Sequence, residues 1–233
     1  MIGLPVTYRG LVLFDIDGTL VRRAGPHHRE ALVYGVRRVT GLETTTEGIP
    51  VQGMLDPDIL TVMMRNAGAG RRAIRTAMPE ILRAAEGHYL RVCPPLGGKL
   101  CPGVEAALER LERRGYLLGL VTGNLTRIGW RKLERAGLRN YFRFGAFGEM
   151  AGTRAGLARI AIREARRRGW IERGSPVSLI GDAPSDIAAA KGNGIRSIAV
   201  KTGITPPEEL EGAHPDFLLR NLRDLRLRMV ENR

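Results

Sequence analysis

Cysteine is scarce in this chain, which has two in 233 residues. Cys93 and Cys101 flank a Pro-Pro and Gly-Gly segment, form no C-x-x-C pair and have no neighbouring histidine pair. Two cysteines in a chain of this size do not make a disulfide framework, and this spacing does not suit a zinc site. We therefore expect both to be ordinary small side chains in a linker.

Long apolar runs are also absent. No segment approaches the roughly 18 apolar residues needed to cross a membrane. Residues 1–8 lack the basic start and apolar stretch of a secretory signal. With 43% hydrophobic and 26% charged residues, the composition is that of a globular protein, and we expect a cytoplasmic location and no membrane partner.

Aromatic residues make up only 5% of the chain, and four of its 37 basic residues are lysine. The net charge of +13 is the kind that attracts anionic ligands or nucleic acid. However, the arginines lie in short clusters at 71–72, 113–114 and 166–168, without the interleaved aromatic residues that stack on bases. Solvated helix faces are therefore the favoured interpretation, and a nucleic-acid partner is the less favoured alternative.

The most informative stretch is an apolar run, residues 11–14, that leads into Asp15-Ile16-Asp17-Gly18. Such a run before an acid pair and a glycine predicts a buried strand that ends at a turn. Strand alternation would direct Asp15 and Asp17 to one side. Because close carboxylates repel, a cation or a shared proton must compensate, and Mg²⁺ prefers carboxylate and carbonyl oxygens. An exposed Asp-Gly turn is the alternative.

Two further apolar runs also end in polar residues. The run at 116–121 leads into Thr122-Gly123-Asn124, and the run at 177–180 leads into Gly181-Asp182, with Asp186 four residues later. Additional strands are predicted at 141–144 and 197–200, an apolar run follows at 217–219, and helical patterns separate these segments. This alternation predicts a parallel α/β sheet with helices on both faces, whose carboxyl edge collects the polar residues.

Residues 27–92 have helical periodicity and interrupt the strand pattern. Asp56 is predicted to be the N-cap of a helix with Pro57 at its first position. Pro79 should break or restart a third helix. We interpret this segment as a helical bundle inserted behind the first strand, with 93–98 as the linker that returns to the sheet.

In the second half, helices are predicted near 102–115, 126–136 and 153–168. A capping box is predicted at Thr205 with Glu208, and a last helix should include Leu222, Leu225 and Met229. No internal repeat is evident.

The three polar signatures, in this order at strand ends, resemble those of the haloacid dehalogenase-like hydrolase superfamily, and the pattern is similar to its phosphoglycolate phosphatase-like branch. The resemblance implies a three-layer Rossmann-like core, formed by 1–20 and 94–233, with an inserted α-helical cap domain at 21–93. It also implies a Mg²⁺-dependent phosphatase that hydrolyses a small organic phosphate monoester through an aspartyl-phosphate. A small phosphorylated metabolite would be the partner, and the protein would be a monomer or homodimer.

The same resemblance assigns the two acids of the first motif. Asp15 would be the nucleophile that attacks phosphorus. Asp17 would protonate the leaving alkoxide and then deprotonate water, and the adjacent negative charge of Asp15 should help Asp17 to keep its proton. Dehalogenases of the superfamily lack this second acid, so Asp17 favours phosphoryl transfer.

The resemblance also implies a metal site. Mg²⁺ would be held by the Asp15 side chain, the backbone carbonyl of Asp17 and Asp182. Asp186 would orient a metal-bound water, or it would be an ordinary acid in the first turn of a helix.

Phosphate binding would fall to Thr122, Gly123 and Asn124, at a strand-to-helix turn whose N–H groups favour an anion, unless these residues are only a helix cap. The family usually carries a lysine before its last motif, and here Arg154 stands in register. Arginine keeps the charge but differs in geometry, and an exposed arginine at a helix start is the alternative.

Three further interpretations concern the inserted helices and the function class. His27, His28 and Asp56 could meet the substrate, but exposed residues at helix ends are the preferred interpretation. No lysine occurs among residues 1–91, so a Schiff base on the cap is not expected. A phosphomutase of the same superfamily, or a basic nucleic-acid- or partner-binding protein on this scaffold, remains the alternative function.

Overall fold

The computed structural model describes residues 7–22 and 25–231 of the chain. Six parallel strands form one sheet in the order β3-β2-β1-β4-β5-β6. The strands are β1 Gly10–Phe14, β2 Tyr116–Val121, β3 Phe144–Ala146, β4 Val177–Gly181, β5 Arg196–Val200 and β6 Phe217–Leu219. The helices are α1 His27–Thr40, α2 Asp56–Asn66, α3 Arg71–Val92, α4 Val104–Arg113, α5 Thr126–Ala136, α6 Arg154–Arg167, α7 Pro184–Lys191 and α8 Pro207–Gly212. The predicted α/β class is therefore confirmed.

Strand β1 lies in the middle of the sheet and is buried along its whole length. Because its side chains alternate, Val12 and Phe14 join one apolar cluster with residues of α4 and α5, whereas Leu11 and Leu13 join a second cluster with α6 and α7. Helices therefore cover both faces of the sheet, as the continuous apolar run predicted.

The order of the strands places the functional edge. β1 pairs with β2 on one side and with β4 on the other. The connection after β1 therefore leads to one side of the sheet and the connection after β4 leads to the other. In open α/β sheets, ligands bind outside the carboxyl ends of the strands where the order reverses. The predicted polar residues follow these three strands.

Helices α1 to α3 lie between β1 and β2 in the chain and pack mainly on one another, α1 against α3. Gly35 of α1 makes this packing close, since a Cβ there would lie 2.9 Å from the Ile81 carbonyl oxygen and 3.0 Å from the Ala85 Cβ. The apolar stripes of these helices face inward, but their buried residues belong to the same apolar cluster as Val12 and Phe14 of β1. The inserted helices therefore share a core with one face of the sheet and do not have one of their own.

Two sequence predictions about helix and strand breaks are wrong. Helix α3 runs through Pro79 without interruption. Pro79 is exposed, so the carbonyl that its missing N–H leaves unpaired can be hydrated. The strand predicted at 141–144 begins only at Phe144, because the chain makes a 3₁₀ turn at Arg139–Tyr141 first.

Three predictions about helices also differ from the structure. Helix α8 begins at Pro207 without a side-chain cap, and the Thr205 hydroxyl has no hydrogen-bond partner among the described residues. The predicted last helix is two 3₁₀ turns, Leu222–Asp224 and Leu227–Met229. Asp56 is the first residue of α2 rather than its cap, and its carboxylate binds other elements instead.

Two simpler predictions, on the cysteines and on the arginine clusters, are confirmed. Both cysteines are free and buried, and the arginine clusters at 71–72, 113–114 and 166–168 are exposed. Over the part of the chain that the structure describes, no helix combines the length and the apolar character needed to span a bilayer.

Candidate active site

A cavity of about 500 Å³ lies between the carboxyl edge of the sheet and helices α1 and α2. Its walls include seven of the eight residues that the sequence singled out: Asp15, Asp17, Thr122, Gly123, Asn124, Arg154 and Asp182. The eighth, Asp186, lies behind this wall. The structure thus brings residues from distant stretches of the chain to one cavity.

Three buried carboxylates form an acid cluster at the sheet edge. Ligand oxygens of Asp15, Asp182 and Asp186 all lie within 4.8 Å of one another. Asp182 also accepts hydrogen bonds from Gln52 Nε2 at 2.7 Å and from the Thr19 hydroxyl at 3.3 Å. These two donors fix the orientation of Asp182 at the cavity wall.

Backbone packing around Asp182 leaves no room for other side chains. Gly18 has φ +82°, and a Cβ there would clash with Asp182 Oδ2. A Cβ at Gly203 would lie even closer to the same oxygen. Glycine at these two positions allows the chain to wrap tightly around the carboxylate.

Mutual repulsion and burial shift the titration of this cluster. Burial, aided by the charges of Asp15 and Asp186, raises the pKa of Asp182 well above its ordinary value. Burial also raises the pKa of Asp186 to about 7, although Arg154 opposes the shift. An acid cluster of this kind favours a cation that compensates its charge.

Arg154, the first residue of α6, is the buried cation of the cluster. Its Nη1 donates to Asp15 Oδ1 at 3.0 Å and to the Val121 carbonyl oxygen at 3.3 Å, and its Nε lies 3.4 Å from Asp186 Oδ1. Asp186 and Asp15 raise the pKa of Arg154 against the effect of burial, so the guanidinium stays charged. The alternative of an exposed arginine at a helix start is therefore wrong.

Asp17 lies in a second group of polar residues on the same cavity wall. Its Oδ2 accepts from Lys132 Nζ at 2.5 Å and from Asn124 Nδ2 at 2.8 Å. Burial alone would raise the pKa of Asp17, but the charge and hydrogen bonds of Lys132 and Asn124 outweigh it and lower the pKa. The expectation that Asp15 keeps Asp17 protonated is therefore wrong for the resting site, because a buried lysine compensates the charge.

At the Thr122-Gly123-Asn124 turn, most of the backbone N–H groups that could bind an anion already have an acceptor. The amides at the start of α5 already donate to acidic side chains from other elements: Leu125 N to Asp56, Thr126 N to Glu149 and Arg127 N to Glu86. The Thr122 hydroxyl accepts from Asn124 Nδ2 at 2.7 Å. Among the described residues, the Gly123 N–H has no acceptor, so it is the backbone donor of this turn that is left for a ligand.

Sequence reasoning missed Lys132, Thr19 and Gln52, and it misjudged His28 and Asp56. Asp56 is only 2% exposed, and it binds His28 Nε2 at 2.9 Å, so neither is an exposed residue at a helix end. A signal for Lys132 was present, because this lysine lies on the buried face of α5 with Ile128, Leu133 and Ala136. His27 is half-exposed against Glu30 and does not line the cavity.

The acid cluster fits a hard divalent cation. Its donors are carboxylate oxygens, which suit Mg²⁺ or Ca²⁺ rather than a soft metal. Asp186 Oδ1 has no hydrogen-bond partner among the described residues, although it is buried beside two other acids. Buried charges of one sign need such compensation, and one arginine can compensate only one of three ionised carboxylates.

The raised pKa values predict an unusual pH dependence for metal-free protein. An acid whose pKa is higher when folded binds more protons in the native state between its ordinary value and about 7, so stability falls as the pH rises through that window. In chelator-treated protein, we expect the melting temperature to be higher at pH 6 than at pH 8. Mg²⁺ should stabilise more at pH 8, because its ligands must be deprotonated.

The matched variant for this measurement is Asp186→Asn, which keeps the shape of the side chain but removes its titration. It should flatten the dependence of the melting temperature on pH in metal-free protein. A wild-type curve that is as flat as that of the variant would contradict the role of the cluster.

The fold and the site together define a Rossmann-like α/β enzyme with a carboxylate cluster suited to a metal. A family model described as haloacid dehalogenase-like hydrolase matches residues 10–194. The chain belongs to this hydrolase family, and the resemblance drawn from its three motifs is confirmed.

Individual relatives agree with this placement. A phosphoglycolate phosphatase of Vibrio parahaemolyticus is 28% identical over 226 residues, which cover 92% of this chain and 93% of that protein. A phosphoglycolate phosphatase of Synechococcus elongatus is 32% identical over 128 residues, with 54% of this chain and 58% of that protein covered. The crystal structure of CbbY from Rhodobacter sphaeroides in complex with phosphate has a TM-score of 0.71 at 21% identity, covers 96% of this chain and 99% of that one, and shows the same fold.

Proposed function

We propose that this protein is a Mg²⁺-dependent phosphatase that hydrolyses a small organic phosphate monoester through an aspartyl-phosphate intermediate. The observation that carries the proposal is the convergence of Asp15, Asp17, Thr122, Arg154 and Asp182 on one cavity. This set supplies a nucleophile, an acid/base group, a cation and a metal ligand around one phosphoryl group.

Asp15 is the proposed nucleophile. Its carboxylate attacks phosphorus, the bond from phosphorus to the ester oxygen breaks, and the enzyme becomes phosphorylated on Asp15. Arg154 donates to Asp15 Oδ1 at 3.0 Å, which holds the carboxylate in place and adds positive charge beside the incoming phosphate.

Asp17 is the proposed acid/base residue. In the first step it gives a proton to the departing alkoxide, and in the second it removes a proton from the water that attacks the aspartyl-phosphate. The second step releases inorganic phosphate and restores Asp15. The lowered pKa of Asp17 in the resting site suits the base role directly, whereas the acid role requires a proton taken up with the substrate.

The Asp15 and Asp182 side chains and the Asp17 carbonyl would hold the ion, with Asp186 behind them. When bound, Mg²⁺ neutralises charge between the phosphate and the nucleophile and polarises the phosphoryl oxygens. The Thr122 hydroxyl and the Gly123 N–H would bind phosphate oxygens, and the Asn124 side chain supports them through its hydrogen bond to Thr122.

Helices α1 to α3 are the proposed cap, with 21–93 as its extent and 1–20 with 94–233 as the core. Helices α1 and α2 and the loop between them form the wall of the cavity opposite the sheet and contribute Leu32, Val51 and Ile59 to it. A cavity of about 500 Å³ suits a small metabolite. Because curated relatives are named phosphoglycolate phosphatases, 2-phosphoglycolate is the first substrate to test.

A panel of small phosphate esters, assayed with and without Mg²⁺, tests the proposal. We expect release of inorganic phosphate from 2-phosphoglycolate or another small ester, and loss of this activity with a chelator. The panel should include a sugar 1-phosphate, since a phosphomutase would form an isomeric sugar phosphate instead of free phosphate. No phosphate release from any ester, together with a salt-sensitive shift of DNA, would favour the alternative of a basic binding protein.

A further inference from the structure

Lys132 is a buried lysine to which the proposed mechanism gives no role. It projects from α5 and is 1% exposed. Its Nζ lies 2.5 Å from Asp17 Oδ2, 2.6 Å from Asn124 Oδ1 and 3.2 Å from His28 Nδ1. An ammonium group has three hydrogens to donate, and each of these atoms can accept one. All three donors of Lys132 therefore have an acceptor.

The contact with His28 continues into the inserted helices. His28 Nε2 lies 2.9 Å from Asp56 Oδ2, and the same oxygen accepts from Leu125 N at 2.8 Å. The Lys132 ammonium can only donate, so Nδ1 of His28 accepts from it and the hydrogen-bond pattern assigns the ring hydrogen to Nε2. The lone pair of Nδ1 then faces Lys132. This chain of hydrogen bonds joins α2, α1 and α5 to Asp17.

The arrangement has a consequence for the two oxygens of Asp17. Oδ2 accepts from both Lys132 and Asn124, whereas Oδ1 has no donor among the described residues. The Asp17 side chain is 38% exposed and lines the cavity. With Oδ2 saturated by two donors, a proton on this carboxyl group fits only on Oδ1.

We propose that Lys132 is a positioning residue that holds Asp17 by Oδ2 and thereby presents Oδ1 to the leaving group of the substrate. His28 holds Lys132, and Asp56 holds His28, so the alignment of Asp17 depends on the hydrogen bonds that join α1 and α2 to α5. This inference rests on the proposed phosphatase function. It goes beyond that function by naming the residues that aim the proton donor.

The choice of leaving group separates this role from a merely structural one. An alkyl phosphate needs proton donation as its alkoxide departs, whereas the p-nitrophenolate of p-nitrophenyl phosphate is a good leaving group that does not. The value of kcat/KM reports steps up to the loss of the leaving group. A misaligned Asp17 should therefore lower kcat/KM for the alkyl substrate selectively.

The first experiment measures kcat/KM of Lys132→Met for p-nitrophenyl phosphate and for the best alkyl phosphate of the wild-type protein. We expect a loss of about 100-fold for the alkyl substrate, the lower end of the usual effect of acid/base catalysis, and a much smaller loss for the aryl substrate. Lys99→Met is the matched control, because Lys99 is exposed and lies away from the cavity. It should match wild type on both substrates.

The second experiment tests the link through His28. His28→Phe keeps a ring beside Tyr89, whose centroid is 5.8 Å from that of His28, but removes both nitrogen atoms. We expect a loss in the same direction, about 10-fold, on the alkyl substrate, smaller than for Lys132→Met because His28 acts on Asp17 only through Lys132. His27→Phe, at the neighbouring half-exposed residue, is its control and should match wild type.

The outcomes distinguish the two levels of the proposal. Equal losses on both substrates in Lys132→Met, in protein whose melting temperature shows that it is folded, would overturn the positioning role and leave the phosphatase function intact. If Lys132→Met is selective and His28→Phe is not, the link to the inserted helices is wrong. If wild-type protein hydrolyses neither substrate, the proposed function itself fails.

Discussion

Replacing Asp15 with asparagine should lower phosphatase turnover by about 10⁴-fold or more, the scale seen when a covalent nucleophile is removed. An amide has nearly the shape of a carboxylate but cannot form the acyl-phosphate. Arg154 would still find an oxygen acceptor at this position, so folding should be preserved. The measurement is release of inorganic phosphate in saturating Mg²⁺, with the melting temperature recorded in parallel.

Asp58→Asn provides the matched control, because Asp58 is exposed on α2 and does not line the cavity. It should retain wild-type turnover. Wild-type protein that is acid-quenched during turnover of a phosphate ester should carry phosphate on Asp15, as measured by mass spectrometry. The Asp15→Asn protein, treated in the same way, should carry none. Undiminished turnover in Asp15→Asn would defeat the assignment of the nucleophile.

Replacing Arg154 with methionine should reduce both stability and activity. The guanidinium is buried between Asp15 and Asp186, and removing one partner of a buried charged group typically costs about 3–5 kcal/mol because the other charge is left uncompensated. The free energy of unfolding, measured by urea denaturation in chelator, should fall by about this amount. The deficit should shrink at low pH, where the carboxylates take up protons, and also in Mg²⁺.

Two comparisons make this test specific. Arg163→Met changes an exposed arginine of the same helix and should leave stability within about 0.5 kcal/mol of wild type. In wild-type protein the planar guanidinium of Arg154 reaches Asp15 and Val121 with Nη1 and faces Asp186 with Nε. Arg154→Lys keeps the charge but cannot make all three contacts, so the stability of this variant should be intermediate. A deficit in Arg154→Met that is the same at low and high pH would show that charge is not its cause.

The strands and the edge where they deliver polar residues could be predicted from the sequence. The run at 11–14 is apolar at every position because both faces of β1 are covered, and such a run is typical of a central strand in a parallel sheet. Since parallel strands end at one edge, Asp15, Thr122 and Asp182 had to converge once the fold was known. Local sequence and global topology agree for these residues.

The surroundings of the acids could not be predicted in the same way. Lys132 reaches Asp17 across 115 positions of sequence, and His28 and Asp56 are joined only because α1 packs against α2. Such contacts depend on tertiary packing, which single-sequence patterns do not encode. Pro79 failed as a signal for a similar reason, since its effect on a helix depends on whether the freed carbonyl faces water.

The acidic side chains at the start of α5 have a consequence for motion of the proposed cap. Asp56 and Glu86 belong to the inserted helices, whereas Glu149 belongs to the core. If α1 to α3 swing away from the sheet, the backbone amides of Leu125 and Arg127 lose their acceptors and must be hydrated, while that of Thr126 stays satisfied. Opening of the proposed cap is therefore coupled to hydration of the N-terminus of α5. Asp56 and Glu86 stabilise the closed form, in which they accept hydrogen bonds from these two amides.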